Sequence, residues 1–115
     1  MRLRLVAVLL VAMASTVLAV VGASPASAAT CPDNNWSIAD GHFGSFSSVH
    51  VRVRTGPSTG CAALGQGEPG DTVQFDCWKW GSDGYTWSHL YDFTRGLEGW
   101  SRDDLLTGGG AYIQC

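Results

Sequence analysis

The sequence predicts a small all-β domain, on three observations. Short runs of alternating apolar and polar residues are separated by turns rich in glycine, proline and aspartate. No segment after residue 28 keeps the apolar period of an amphipathic helix. Four cysteines in the same segment can supply the covalent support that a chain of this size often needs. Short strands with regular turns are typical of a small barrel or sandwich.

The first 28 residues have the three zones of a secretory signal peptide. Residues 1–4 are basic, an apolar run continues to Gly22, and Ala26-Ser27-Ala28 is an A-x-A cleavage signal. We expect cleavage after Ala28, with Ala29 as the alternative, and a secreted product that is extracellular or associated with the cell wall. A retained membrane anchor is disfavoured, because the apolar run is near the lower length limit for a span and ends in small residues.

The mature chain, residues 29–115, is acidic. Seven Lys and Arg residues, less the two in the leader, leave five cations against ten Asp and Glu, a formal net charge of −5. Nucleic-acid binding depends on clustered Lys and Arg, so we expect no nucleic-acid partner. Anionic membranes are disfavoured for the same reason, and we expect a monomer.

The four cysteines predict two disulfides, since their number is even and the chain is exported. Three connectivities are possible. We favour Cys61–Cys77, because the turn-rich segment between them is typical of a hairpin, and Cys31–Cys115 follows by elimination. The spacings of 30, 16 and 38 residues contain no C-x-x-C pair, so we predict no zinc site, no other metal and no cofactor.

The predicted elements follow in chain order. Residues 29–48 are rich in Gly, Ser, Asp and Asn and form an N-terminal arm held by Cys31. Strict alternation over Val49–Arg54 puts three valines on one face and His50, Arg52 and Arg54 on the other. Further strands are predicted at 61–65, 71–80, 85–91, 97–101 and 111–115, with one helical turn at 102–106.

Several motifs resemble bacterial SH3 (SH3b) domains. Val51-Arg52-Val53-Arg54-Thr55-Gly56-Pro57-Ser58 resembles the opening signature of that family, and Gly99-Trp100 followed by Leu105 resembles its closing motif. Leu64-Gly65, Pro69-Gly70-Asp71 and Val73-Gln74-Phe75 keep the family order between them. The likeness covers residues 49–106 and is greatest to small secreted SH3-like proteins of actinobacteria. Cys61, Cys77 and a longer insert at 92–98 depart from the pattern.

This resemblance implies an SH3-like β-barrel over residues 49–115 and a non-catalytic module that recognises cell-wall peptide or glycan. An enzyme is not expected. Asp103 and Asp104 are adjacent, which favours capping of a helical turn over a glycosidase pair. The alternative is a secreted protein-interaction or enzyme-inhibitor factor with an extracellular protein partner, which the small size, the disulfides and the acidity favour.

Two groups of residues are candidates for ligand binding. Period two predicts that Trp78 and Trp80 point away from Val73 and Phe75, and Tyr85 follows a turn; such rings can stack on sugars or pack on peptide. Trp87 and Trp100 are expected to be structural.

Arg52 and Arg54 form the second group. Each guanidinium could grip the carboxylate of a peptide stem. The alternative is a solvated strand face whose arginines pair with the many Asp and Glu residues.

Overall fold

A computed structural model describes residues 30–115, so the predicted signal peptide lies outside the described residues. Two short 3-10 turns, Asp103–Leu105 and Thr107–Gly109, follow the last strand. No helix in this described part is long and apolar enough to cross a membrane. The six strands are β1 (His42–Gly44), β2 (Val51–Arg54), β3 (Ala63–Gly67), β4 (Val73–Trp80), β5 (Thr86–Asp92) and β6 (Leu97–Arg102).

The strands form one antiparallel sheet in the order β1-β4-β5-β6-β2-β3. The predicted all-β class with two disulfides is confirmed. The sheet is open, because the edge strands β1 and β3 do not pair with each other. Residues assigned to the N-terminal arm contribute β1, which lies at one edge of the sheet.

The core lies on one face of this sheet. Val51 and Val53 point into it from β2, as the alternation predicts, while Arg52 stays exposed on the other face. Phe46, which precedes β2, is 1 % exposed and packs against Gly67, where an added Cβ would collide with its ring. The buried cluster contains Phe46, Val51, Val53, Val73, Phe75, Leu90, Leu106 and Ala111.

A β-bulge changes which face of β4 points inward. Phe75 lies opposite Leu90 and Cys77 lies opposite His89, so Asp76 is an extra residue on β4. The alternation is reversed beyond the bulge, and Trp78 packs against the core cluster on the side of Phe75. The prediction that Trp78 and Trp80 point away from Phe75 is therefore wrong.

The disulfides join Cys31 to Cys61 and Cys77 to Cys115. The predicted pairs Cys61–Cys77 and Cys31–Cys115 are wrong, because β3 and β4 do not form a hairpin. Cys61 precedes β3 at one edge of the sheet, whereas Cys77 lies on β4, and three strands separate β4 from β3. The reach of a disulfide is only about 4.4–6.8 Å between Cα atoms, which excludes that pair.

The second disulfide fixes the C-terminal tail alongside β4. The Trp78 N–H donates to the Ile113 carbonyl at 3.0 Å, and the Cys115 N–H donates to the Trp78 carbonyl at 2.9 Å. The tail makes one parallel bridge there, between Trp78 and Gln114, where the sequence predicted a strand. Two disulfides indicate an oxidising, extracellular environment.

Candidate functional site

A shallow cleft of about 200 Å³ lies against β2 and the end of β6. Arg54 pairs directly with Trp100, and this register sets β2 beside β6 with Arg52 opposite Arg102. We call this site the arginine cleft. It is lined by Ser48, Val49, His50, Val51, Arg52, Arg54, Thr59, Trp87, Arg102 and Leu105.

The arginine cleft contains the uncompensated positive charge of an otherwise acidic chain. Among the five cations of residues 30–115, Lys79, Arg95 and Arg102 each pair with a carboxylate at 2.6–3.0 Å. Arg54 instead donates from Nη1 to the Cys61 carbonyl at 3.0 Å. The Arg52 guanidinium has no hydrogen bond or ion pair within the described residues. Both cations that lack a carboxylate partner therefore face the same cleft.

His50, which lines the arginine cleft, is held in place by Glu68. Glu68 accepts from the His50 backbone N–H at 3.1 Å and lies 2.5 Å from its ring Nδ1. His50 has a φ of +56°, a left-handed conformation that is uncommon outside glycine and that this double contact holds in place. Its backbone N–H, aided by its ring, keeps the pKa of the Glu68 carboxyl below its ordinary value.

The predicted aromatic residues are divided between two places. Trp80 is 64 % exposed at the end of β4, and its ring meets the ring of half-buried Trp78 edge to face at 6.1 Å. Tyr85 lies near the arginine cleft instead, since the Arg102 guanidinium sits 4.4 Å from its ring centroid. The structure thus brings Arg52, Arg54 and, through Arg102, Tyr85 together, and leaves the two tryptophans apart from them.

Sequence reasoning missed two residues of the arginine cleft. Arg102 was placed in a helical turn, although period two from Trp100 puts it on the same face of β6. Trp87 was expected to be structural, and it is 2 % exposed with its indole N–H donating to Asp83 at 3.2 Å, yet it also lines the cleft. The alternation around Trp100 carried a signal for Arg102, but the register that sets it opposite Arg52 could not be read from the sequence.

A second cleft of about 130 Å³ lies between the N-terminal arm and β6, and we call it the Glu98 cleft. His89 lines it and is nearly buried, with Nδ1 2.7 Å from Asp76 Oδ2. Trp36 from the arm stacks on the His89 ring with centroids 3.6 Å apart. Within residues 30–115, no three His, Cys, Asp or Glu side chains are grouped to hold a metal ion.

The comparisons with known proteins leave these clefts to be interpreted from their own geometry. No protein-family model, curated protein or solved structure matches the chain. The resemblance of residues 49–106 to SH3b domains therefore stays a prediction from sequence motifs.

Proposed function

We propose that the protein is a secreted, non-catalytic binding module whose arginine cleft holds a carboxylate group of a cell-wall peptide or glycan. One observation carries this proposal: the two cations without a carboxylate partner, Arg52 and Arg54, face one cleft of an acidic chain. A guanidinium presents several N–H donors in a planar fork, which matches the two oxygens of a carboxylate.

The size and surroundings of the arginine cleft favour a compact anion. Its volume of about 200 Å³ equals that of about seven liquid waters at roughly 30 Å³ each. A long polyphosphate would extend beyond the cleft over the mature chain, residues 29–115, whose net charge of −5 repels it. Val49 and Leu105 add apolar surface beside the arginines, which suits a carboxylate joined to a small apolar group.

Two of the three arginines are held in place before a ligand arrives. Arg54 is fixed by the Cys61 carbonyl, and Cys61 is itself tied to Cys31. Arg102 is fixed by Asp104 and by the ring of Tyr85. Ordering a long side chain on binding costs about 0.5–1.5 kcal/mol. Because Arg54 and Arg102 are already ordered, a ligand avoids this cost at both. Arg52 is the member left free to close on a ligand.

A second candidate function is binding of an extracellular protein, and a separate aromatic patch favours it. Phe43 is 62 % exposed and Phe93 is 52 % exposed, with ring centroids 5.9 Å apart. Tyr91 extends the patch, since its ring lies 4.7 Å from that of Phe93. Exposed aromatic groups of this kind are enriched in protein interfaces.

Co-sedimentation with purified bacterial sacculi tests the proposed function. The wild-type protein and Lys79→Gln, which removes a cation outside the arginine cleft, are expected to pellet with the sacculi. The double variant Arg52→Ala/Arg54→Ala is expected to stay in the supernatant. Equal retention of the double variant would overturn the proposal, as would failure of the wild-type protein to pellet at all.

A further inference from the structure

Glu98 is the one side-chain carboxylate within residues 30–115 that accepts no hydrogen bond. Each of the other nine is bonded to a backbone N–H, a hydroxyl, a ring nitrogen or a cation. The ring of His89 lies near Glu98, with Oε1 and Nε2 3.6 Å apart, which is too long for a hydrogen bond. Its side chain is 49 % exposed and lines the Glu98 cleft.

The His89 ring is fixed so that Nε2 faces Glu98. A carboxylate only accepts, so the contact with Asp76 at 2.7 Å requires the hydrogen to be on Nδ1. In the neutral ring, Nε2 then carries a lone pair. Trp36 stacks on one face of the ring, and Trp100 meets it edge to face with centroids 5.3 Å apart. Rotation of the imidazole away from Glu98 is blocked by these contacts.

With the His89 ring neutral, Glu98 Oε1 and His89 Nε2 are two acceptors 3.6 Å apart, and one cationic donor that lies beside them reaches both. We propose that the Glu98 cleft binds a primary ammonium group, with Glu98 as its counter-charge and His89 Nε2 as a hydrogen-bond acceptor. An ammonium carries three N–H donors, enough for both groups and one water. Pro32, Trp36 and Leu64 supply an apolar wall for the carbon chain behind it.

The charge of the whole chain supports the same ligand class. The net charge of −5 on residues 29–115, from five Lys and Arg against ten Asp and Glu, raises the local concentration of cations by long-range attraction. The cleft volume of about 130 Å³ equals about four liquid waters, which accommodates an ammonium group and a short methylene stem. This inference does not depend on the proposed function, because the Glu98 cleft and the arginine cleft attract groups of opposite charge.

Titration of the isotope-labelled mature protein by NMR tests the inference. N-acetyl-lysine amide offers an ammonium and no carboxylate, and N-acetyl-norleucine amide offers a similar chain without the charge. Alanine amide carries its ammonium on the amino terminus. Comparing it with the lysine compound shows whether the cleft prefers an amino-terminal or a side-chain ammonium. We expect the lysine compound to shift the His89 ring and Trp36 indole signals, and the norleucine compound to leave them unchanged.

Variants identify the groups responsible. Glu98→Gln is expected to weaken binding of the lysine compound at least tenfold. Asp104→Asn, which changes a carboxylate with the same 49 % exposure, is expected to leave the affinity within twofold. Equal binding of the lysine and norleucine compounds, or unaltered affinity in Glu98→Gln, would overturn the inference. So would shifts caused by Zn²⁺ and not by either ammonium compound.

The same titration on Arg52→Ala/Arg54→Ala separates this site from the proposed function. Its affinity for N-acetyl-lysine amide is expected to match that of the wild-type protein whether or not the arginine cleft binds a carboxylate. A loss of ammonium binding in that variant would contradict an independent Glu98 cleft.

Discussion

Asp92 and Asp71 face the same guanidinium where β5 ends, since Arg95 Nε lies 2.6 Å from Asp71 Oδ2 and 4.0 Å from Asp92 Oδ2. Asp92 is fully buried, and its Oδ2 accepts no hydrogen bond. Burial and then the adjacent Asp71 raise the pKa of Asp92 to about 6. Burial is the largest single influence on Asp71 and opposes its ionisation, but the hydrogen bonds and positive charge around it, led by the Arg95 hydrogen bond, together lower the pKa of that group. Below about pH 6 Asp92 is therefore protonated, whereas Asp71 stays ionised to lower pH.

The raised pKa of Asp92 predicts that the protein loses stability as the pH rises from about 4 to about 7. The pKa of Asp92 rises from 3.8 when unfolded to about 6 when folded, so its stabilising effect is complete below pH 4 and is lost as pH rises through 6. The loss by pH 8 is at most about 3 kcal/mol, at 1.36 kcal/mol per pKa unit. About half of that loss falls between pH 5 and pH 8, and urea unfolding at these two pH values measures it.

Asp92→Asn is the matched variant, because an amide N–H can donate to Asp71 at every pH. We expect it to unfold at a similar urea concentration to the wild-type protein at pH 5, and to be more stable by about 1–3 kcal/mol at pH 8. Parallel pH profiles for the two proteins would contradict a raised pKa at Asp92.

The β-bulge at Asp76 predicts different roles for two neighbouring tryptophans. Trp78→Ala is expected to lower the free energy of unfolding by about 2 kcal/mol or more, because its ring packs against the core. Trp80→Ala is expected to stay within about 0.5 kcal/mol of the wild-type value, since that ring is 64 % exposed. Chemical denaturation of both variants measures the difference. Equal losses of stability would contradict the conclusion that Trp78 packs against the core while Trp80 is exposed.

The disulfide between Cys77 and Cys115 predicts that the C-terminal tail is a structural part of the sheet. Cys77→Ser/Cys115→Ser is expected to lose about 2–4 kcal/mol of stability, by the entropy of closing a long loop. Trp78 also loses the cover of the tail, so tryptophan emission is expected to move to longer wavelength. Peptide mapping without reduction checks the connectivity directly, and a Cys61–Cys77 peptide would contradict it.

Arg52 and Arg54 both line the arginine cleft, but we predict that they contribute differently to the free energy of unfolding. Arg54→Ala removes the hydrogen bond to the Cys61 carbonyl and is expected to cost about 0.5–1.5 kcal/mol. Arg52→Ala removes no described partner and is expected to fall within about 0.5 kcal/mol of the wild-type protein. Thermal unfolding compares them, and a larger loss in Arg52→Ala would show that its guanidinium already has a partner.

Local sequence patterns predicted the strands well where a strand alternates without interruption. Val51 and Val53 point inward and Arg52 points outward, as period two requires. The same rule fails beyond Asp76, because one extra residue reverses every later side chain on β4. No residue type marks that bulge in the sequence.

Long-range relationships were beyond the reach of local patterns. The cysteine pairing depends on the order of strands in the sheet, and the apparent hairpin between Cys61 and Cys77 joins strands that do not pair. The arginine cleft was half predicted, since alternation identified Arg52 and Arg54. Arg102 joins them only through the β2–β6 register. The unpartnered state of Glu98 likewise depends on which neighbours each acidic group finds in the fold.

The most direct test of the carboxylate site is calorimetric titration with two peptides that differ in one group. One peptide is N-acetylated and ends in a free carboxylate after a small apolar residue, and the other carries a C-terminal amide. We predict that the wild-type protein binds the acid at least tenfold more tightly than the amide, and that Arg52→Ala/Arg54→Ala abolishes the preference. Equal affinity of the wild-type protein for the two peptides would contradict carboxylate recognition by the arginine cleft.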